Sequence, residues 1–117
     1  MREGFLVMIE QIIKRDGRTA PFELDKIANA IFGAAQSVGG QDYEMAHELA
    51  EQVEKELEKT VSEKIPTVEQ IQDTVETVLI ESGHARTAKK YILYRDERTR
   101  VREMNTRLMK VYEDLTF

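Results

Sequence analysis

Three cations near the N-terminus, Lys14, Arg15 and Lys26, have the types and spacing that suit a phosphate ligand. Lys14 and Arg15 precede Asp16-Gly17, a dipeptide that favours a tight hairpin turn because it accepts positive φ. Lys26 comes early in a segment of helical periodicity, where free backbone N–H groups and the helix dipole attract an anion. These residues indicate a phosphate site, although a hairpin with solvated cations explains them as well.

The elements that would position these cations are a small hairpin and four helices. Apolar residues recur at helical spacing in four successive stretches, which predicts a mainly α fold with an N-terminal β-hairpin. The four predicted apolar stripes are Ile27, Ile31, Ala34, Ala35 and Val38; Ala46, Leu49, Val53 and Leu57; Val68, Ile71, Val75, Val78 and Leu79; and Ala85, Ala88, Tyr91 and Ile92.

Start and stop signals bound the first three helices. Asp25 and Asp42 are predicted N-caps, because short acidic side chains accept hydrogen bonds from free N–H groups of the first turn. Thr67-Val68-Glu69-Gln70 matches a capping box. Gly39-Gly40 and Gly83 are predicted to end the first and third helices.

The fourth helix is predicted from His84 to about Arg98. The six residues that begin at Arg95 are all charged or polar, so this stretch predicts no buried face. Good helix formers resume afterwards. We therefore expect a domain over residues 1–98 and a helical extension over 99–117 that leaves it.

Composition excludes several classes of protein. The 117 residues suffice for one domain with a real core. The chain has no Cys and only two His residues, which argues against disulfides, redox chemistry and a metal site. No apolar run approaches the ~18 residues of a membrane span, and residues 1–8 lack a signal-peptide pattern, so we expect a cytoplasmic location.

Charge is unevenly distributed along the chain, whose net charge is -5. Residues 41–82 carry twelve acids against three bases, whereas residues 83–102 carry seven bases against two acids. A basic block in an acidic protein favours a localised anionic ligand over a broad nucleic-acid footprint. A solvated helix face is the alternative. Neither a Gly-x-Ser-x-Gly elbow nor a Gly-rich phosphate loop occurs, so we expect no catalysis by this chain.

Four blocks in this order resemble the ATP-cone, the regulatory module at the N-terminus of many ribonucleotide reductases. The resemblance covers about residues 8–98. Its blocks are Ile12-Ile13-Lys14-Arg15-Asp16-Gly17-Arg18, Pro21-Phe22 with Leu24-Asp25-Lys26-Ile27-Ala28-Asn29-Ala30-Ile31, Ile71-Gln72-Asp73-Thr74-Val75-Glu76, and Ala88-Lys89-Lys90-Tyr91-Ile92-Leu93-Tyr94-Arg95.

The tail is similar to the junction with the catalytic body of an anaerobic, class III ribonucleoside-triphosphate reductase. This resemblance rests on residues 98–110 and on Asp114-Leu115-Thr116-Phe117. It implies that this chain is a fragment of such an enzyme and that the catalytic domain is absent from it. A transcriptional repressor of reductase genes also carries an ATP-cone, but its Cys-rich zinc ribbon has no counterpart here.

The resemblance implies allosteric control of the reductase by ATP, which activates, and dATP, which inhibits. It implies Mg²⁺ bound with the nucleotide, the catalytic domain as partner, and oligomerisation through the cone. Relatives often carry Glu where this chain has Ala20, so Glu23 is a candidate replacement. The implied nucleotide-binding residues are Ile12, Ile13, Lys14, Arg15, Phe22, Lys26, Gln72, Lys89, Tyr94, Arg95 and Arg98; those on the fourth helix are candidates for phosphate or second-nucleotide contacts.

Two alternatives from other classes stay open on the sequence alone. The acidic faces of the second and third helices would suit a helical protein-interaction module. Residues 86–102 would suit DNA, with steep salt dependence, although the overall acidity opposes it.

Overall fold

The structure, a computed structural model, describes residues 9–60 and 65–116, with side chains described up to residue 110. It confirms the predicted hairpin followed by four helices. The predictions made for residues 1–8 lie outside the described residues. The elements are β1 (Gln11–Ile13), β2 (Thr19–Pro21), α1 (Leu24–Gln36), α2 (Tyr43–Thr60), α3 (Val68–Glu81) and α4 (Ala85–Thr116).

The hairpin turn is built as the Asp-Gly dipeptide predicts. Strands β1 and β2 pair antiparallel, with Ile12 opposite Ala20. Gly17 has a φ of 89°, which a residue with a Cβ rarely adopts, and its N–H donates to the Lys14 carbonyl at 2.9 Å. The Arg18 N–H donates to Asp16 Oδ1 at 3.1 Å, and this backbone hydrogen bond lowers the pKa of the Asp16 carboxyl. The turn therefore fixes where the adjoining cations lie.

The hairpin is joined to the start of α3. The Ile13 N–H donates to the Pro66 carbonyl at 2.9 Å, and Ile13 forms a parallel bridge with Thr67. The predicted capping box is present: Thr67 Oγ1 accepts from the Gln70 N–H at 3.1 Å, and Gln70 Oε1 accepts from the Thr67 N–H at 2.8 Å. One short segment thus anchors both the β-ribbon and a helix terminus.

The core lies between the four helices, and the predicted stripes of α1, α2 and α3 supply most of it. Full burial of one large apolar side chain stabilises the fold by about 1.5–3 kcal/mol. The buried apolar residues include Ile27, Ile31, Ala34 and Ala35 of α1; Ala46, Leu49, Val53 and Leu57 of α2; Ile71, Val75, Val78 and Leu79 of α3; and Ala88 and Tyr91 of α4.

One predicted cap is wrong. Helix α1 begins at Leu24 with Glu23 at its N-cap, where no side chain makes a capping hydrogen bond, and Asp25 lies within the first turn. There its charge still complements the helix dipole. The prediction for Asp42 is confirmed, because Oδ1 accepts from the Met45 N–H at 3.1 Å. Gly83 follows α3 with a φ of 85°, as predicted for a helix end.

Helix α4 departs from the sequence prediction in three ways. It is continuous from Ala85 to Thr116, so the extension is part of the same helix. The stretch from Arg95 to Arg100 is predicted to have no buried face, yet the Arg95 side chain is half-buried, at 19% exposed. Ala85, which is predicted to pack, is exposed, and Thr87, for which no prediction was made, is buried. Among the described residues, no helix is long and apolar enough to span a membrane.

Candidate functional site

A cavity of about 200 Å³ lies where the hairpin, α1 and α3 meet. Its position follows from the anchoring of β1 to the start of α3, which holds the ribbon over the ends of two helices. Tyr91 of α4 closes the inner side. The lining residues are Ile12, Lys14, Ala20, Pro21, Phe22, Glu23, Lys26, Ile27, Ala30, Val68, Ile71, Gln72, Val75 and Tyr91.

Two lysines line this cavity from separate elements. Lys14 follows β1, and Lys26 lies in the first turn of α1. A cation is disfavoured at a helix N-terminus because the dipole is positive there. Glu23 partly offsets this cost, since its Oε2 lies 3.6 Å from Lys26 Nζ. An anion bound beside Lys26 would complement both the lysine and the helix terminus.

The remaining walls are mostly apolar. Phe22 is partly buried, packs against the main core and also lines the cavity. The sequence left its role open between pocket wall and core, and it serves both. Tyr91 is buried, and this burial raises the pKa of its hydroxyl to about 12. Such walls would suit a flat, weakly polar group such as a nucleobase.

Gln72 supplies a polar side chain to the same wall, and Arg15 contacts it from outside. Arg15 Nη2 donates to Gln72 Oε1 at 3.2 Å, and Nη1 donates to Glu69 Oε2. Arg15 does not line the cavity. Ile13 does not line it either, and its N–H is already donated to the Pro66 carbonyl.

A second, larger cavity of about 670 Å³ lies between α1 and α4. It shares Lys26, Ala30 and Tyr91 with the first cavity, so the two adjoin. Its lining is mainly apolar, with charges at Lys26, Lys90 and Glu97. Tyr94 is the member of the predicted α4 set that lines it.

The three cations predicted on α4, Lys89, Arg95 and Arg98, line neither cavity. Arg95 Nη1 donates to Asp73 Oδ1 at 2.8 Å and to Glu76 Oε2 at 2.5 Å. Burial opposes the charged form of Arg95, but the hydrogen bonds that Arg95 donates to these carboxylates, together with their negative charges, outweigh burial and raise the pKa of the guanidinium. Arg98 donates to the Tyr94 hydroxyl at 2.9 Å and lies over its ring. Lys89 is exposed and lines neither cavity.

The structure thus brings together five of the residues named from the sequence: Ile12, Lys14, Phe22, Lys26 and Gln72. Glu69, Lys90 and Tyr91 were not in that set. The spacing of three residues between Glu69 and Gln72 on α3 was the one available signal, since such pairs share a helix face. Nothing in the sequence pairs either of them with Arg15.

Comparison with known proteins gives several relatives. A vitamin B12-dependent ribonucleoside-diphosphate reductase of Thermoplasma acidophilum is 43% identical over 113 residues, covering 92% of this chain and 14% of the relative. An anaerobic ribonucleoside-triphosphate reductase of Haemophilus influenzae is 38% identical over 104 residues, covering 89% and 15%. A ribonucleoside-diphosphate reductase subunit alpha of Chlamydia muridarum is 38% identical over 101 residues, covering 79% and 10%.

These relatives extend well beyond the region that they share with this chain. The chain spans 10% to 15% of their length. The expected likeness to the anaerobic enzymes is confirmed, and other kinds of ribonucleotide reductase share it. The ATP cone domain matches residues 10–100, which include the hairpin, α1, α2, α3 and the first half of α4. The chain therefore belongs to the ATP cone family, the nucleotide-binding regulatory domain of ribonucleotide reductases.

Proposed function

We propose that this chain binds ATP and dATP in the smaller cavity and thereby controls the overall activity of a ribonucleotide reductase to which it is linked. The observation that carries the proposal is the convergence of Lys14 and Lys26 on one cavity with apolar walls. Family membership supports a nucleotide as the ligand. The named relatives are reductases, which favours this linkage over the repressor alternative.

The cavity's size constrains how a nucleotide would lie. About 200 Å³ is below the roughly 300–1,000 Å³ of sites that enclose a whole drug-sized ligand. The adenine is therefore proposed to lie between Ile12 and Phe22, with the triphosphate extending past Lys14 and Lys26. Mg²⁺ would join through phosphate oxygens and water, as is usual for this ion.

Discrimination between ATP and dATP requires a polar contact that senses the 2′-hydroxyl. Glu23 and Gln72 are polar side chains that line the cavity, and Ala20 offers no such group. Each effector shifts the equilibrium between two states only by its differential affinity for them, and a coupling of about 1–3 kcal/mol is typical of allosteric control.

A second nucleotide is proposed for the adjoining larger cavity. Lys26 lines both cavities, so it could contact a phosphate of either ligand. Tyr94 and Lys90 line the larger cavity, and we propose both as its α4 contacts to the nucleotide. Arg95 would have to leave Asp73 and Glu76 in order to bind a phosphate. Lys89 and Arg98 remain predictions for the outer edge of this site.

The test is isothermal titration calorimetry with ATP, dATP and GTP in Mg²⁺ buffer, with a thermal shift in parallel. At about 100-fold excess over its dissociation constant, a ligand stabilises the folded state by about 2.7 kcal/mol. Binding of ATP or dATP, with weaker binding of GTP, supports the proposal. If neither adenine nucleotide gives heat or a thermal shift, the proposal is wrong.

Two further measurements test how many nucleotides bind and whether the chain forms oligomers. The calorimetric stoichiometry tells one nucleotide from two. Light scattering with and without each nucleotide tests oligomerisation. An interaction module of the alternative class would associate with increasing concentration regardless of nucleotide.

A further inference from the structure

Arg15 bridges two side chains of α3 rather than pointing into the cavity. Its Nη1 donates to Glu69 Oε2, and its Nη2 donates to Gln72 Oε1 at 3.2 Å. The Arg15 side chain is 33% exposed and that of Glu69 is 48% exposed, so the cluster lies at the surface. Of the three residues, Gln72 is the one that lines the cavity.

The chemistry of the guanidinium fixes the orientation of the Gln72 amide. Arginine has hydrogen-bond donors and no acceptor, so the amide oxygen of Gln72 must face it. The amide NH₂ group is then directed away from Arg15. Without Arg15, either end of the amide could face the cavity, because the two ends have nearly the same shape.

We propose that Glu69 and Arg15 are positioning residues that hold Gln72 with its NH₂ group available to an acceptor atom of the bound nucleotide. This inference rests on the proposed function. It gives Arg15 a different role from the direct nucleotide contact implied by the sequence: the residue acts through Gln72.

The backbone explains why an arginine stands at position 15. The hydrogen bond from Ile13 to Pro66 fixes the hairpin beside the start of α3, and Glu69 and Gln72 are three residues apart on one face of that helix. A planar guanidinium fork can donate to both at once. A lysine ammonium has the same charge but lacks the fixed fork.

The test measures ATP and dATP affinity by calorimetry for the wild-type chain and six variants, one of which is the single variant Gln72→Ala. Arg15→Lys and Glu69→Ala should each weaken ATP binding about three- to tenfold, the effect of about one lost hydrogen bond. Glu69→Gln keeps an acceptor oxygen for Arg15 and should restore most of the affinity. Glu81→Gln, an exposed carboxylate at the far end of α3, is the matched control and should bind as wild type.

The double variant Glu69→Ala with Gln72→Ala separates positioning from a general structural effect. If Glu69 acts through Gln72, its removal should change affinity less than about twofold once Gln72 is alanine, because the shared interaction is already gone. Melting temperatures without nucleotide should stay close to wild type, since Glu69 and Arg15 are surface residues.

Three results would overturn the inference. Full affinity in Arg15→Lys would mean that charge alone matters at position 15. Equal losses from Glu69→Ala with and without Gln72 would mean that Glu69 acts by another route. Tighter ATP binding by Glu69→Ala would mean that Glu69 withholds Arg15 from the phosphates. If the wild-type chain binds neither nucleotide, the proposed function itself fails and the positioning role falls with it.

Discussion

Lys14, which follows β1, and Lys26, in the first turn of α1, line one cavity from two different elements. The turn at Asp16-Gly17 and the anchor between Ile13 and Pro66 set this relationship, because together they fix the ribbon over α1 and α3. Two lysines that line one cavity raise the local potential for an anion.

Replacing either lysine tests that convergence. Lys14→Ala and Lys26→Ala should each weaken ATP binding by about tenfold or more, since charge-assisted hydrogen bonds contribute about 1.5–3 kcal/mol. Stability without ligand should change by less than about 0.5 kcal/mol, because both residues are exposed. Lys59→Ala, which removes a similarly exposed lysine of α2, is the control. Unchanged calorimetric affinity in both variants would refute the placement of the phosphates.

The Arg95 cluster should stabilise the packing of α3 against α4. Glu76→Gln should lower the free energy of unfolding by about 1–3 kcal/mol, because the Glu76 side chain is only 23% exposed and accepts from a charged donor. Asp73→Asn should cost less than about 1 kcal/mol, because Asp73 is 68% exposed. Urea denaturation of both variants measures the difference. Equal losses would show that burial does not set the strength of these pairs.

Tyr91 should make stability fall at alkaline pH. Its hydroxyl ionises near pH 10 when unfolded and near 12 when folded, because burial disfavours the phenolate. The stability that comes from the neutral Tyr91 hydroxyl is fully present below pH 10 and is lost as the pH rises through 12. Unfolding free energies of the wild type should therefore drop between these pH values by up to about 2 kcal/mol more than those of Tyr91→Phe. Parallel pH curves for the two proteins would contradict the assignment.

Glu54 on α2 should destabilise the fold at neutral pH. Partial burial, with the neighbouring charges of Glu58 and Glu51, raises the pKa of its carboxyl. The folded state therefore favours the protonated form, and this residue's contribution to stability improves as pH falls through its folded pKa. Glu54→Gln should raise the free energy of unfolding at pH 7 by about 0.2–0.5 kcal/mol. The gain should shrink in acid, as measured by thermal unfolding at several pH values.

The periodicity of the sequence predicted the architecture because the apolar stripes coincide with the buried faces. The stripes that include Ile31, Leu57 and Leu79 all reach the core. Short motifs that are typical of one local structure also predicted it correctly, and the Thr67–Gln70 capping box at the start of α3 is an example. The prediction for Asp25 is wrong because a cap depends on one backbone conformation, and an acid two residues after the N-cap, in the first turn, gives the same sequence pattern.

The candidate site was only partly predictable, because its polar contacts join residues far apart in sequence. Arg15 meets Glu69 across the hairpin–helix junction, and Arg95 meets Glu76 across two helices. No periodic pattern encodes such pairs, so the sequence indicates a nucleotide contact for Arg95 and gives no sign of its ion pairs with α3. Lys14 and Lys26 were found because both lie in short-range motifs, one beside a turn and the other at a helix start.

The length of helix α4 beyond the two cavities would amplify a small tilt of the helix. From Tyr91, which borders both cavities, it continues unbroken to Thr116, a length of about 37 Å at ~1.5 Å per residue. A tilt of about 5° around Tyr91 would carry the distal end through roughly 3 Å on that rise per residue. A small tilt caused by a ligand in either cavity would therefore become a larger displacement at the far end of this helix.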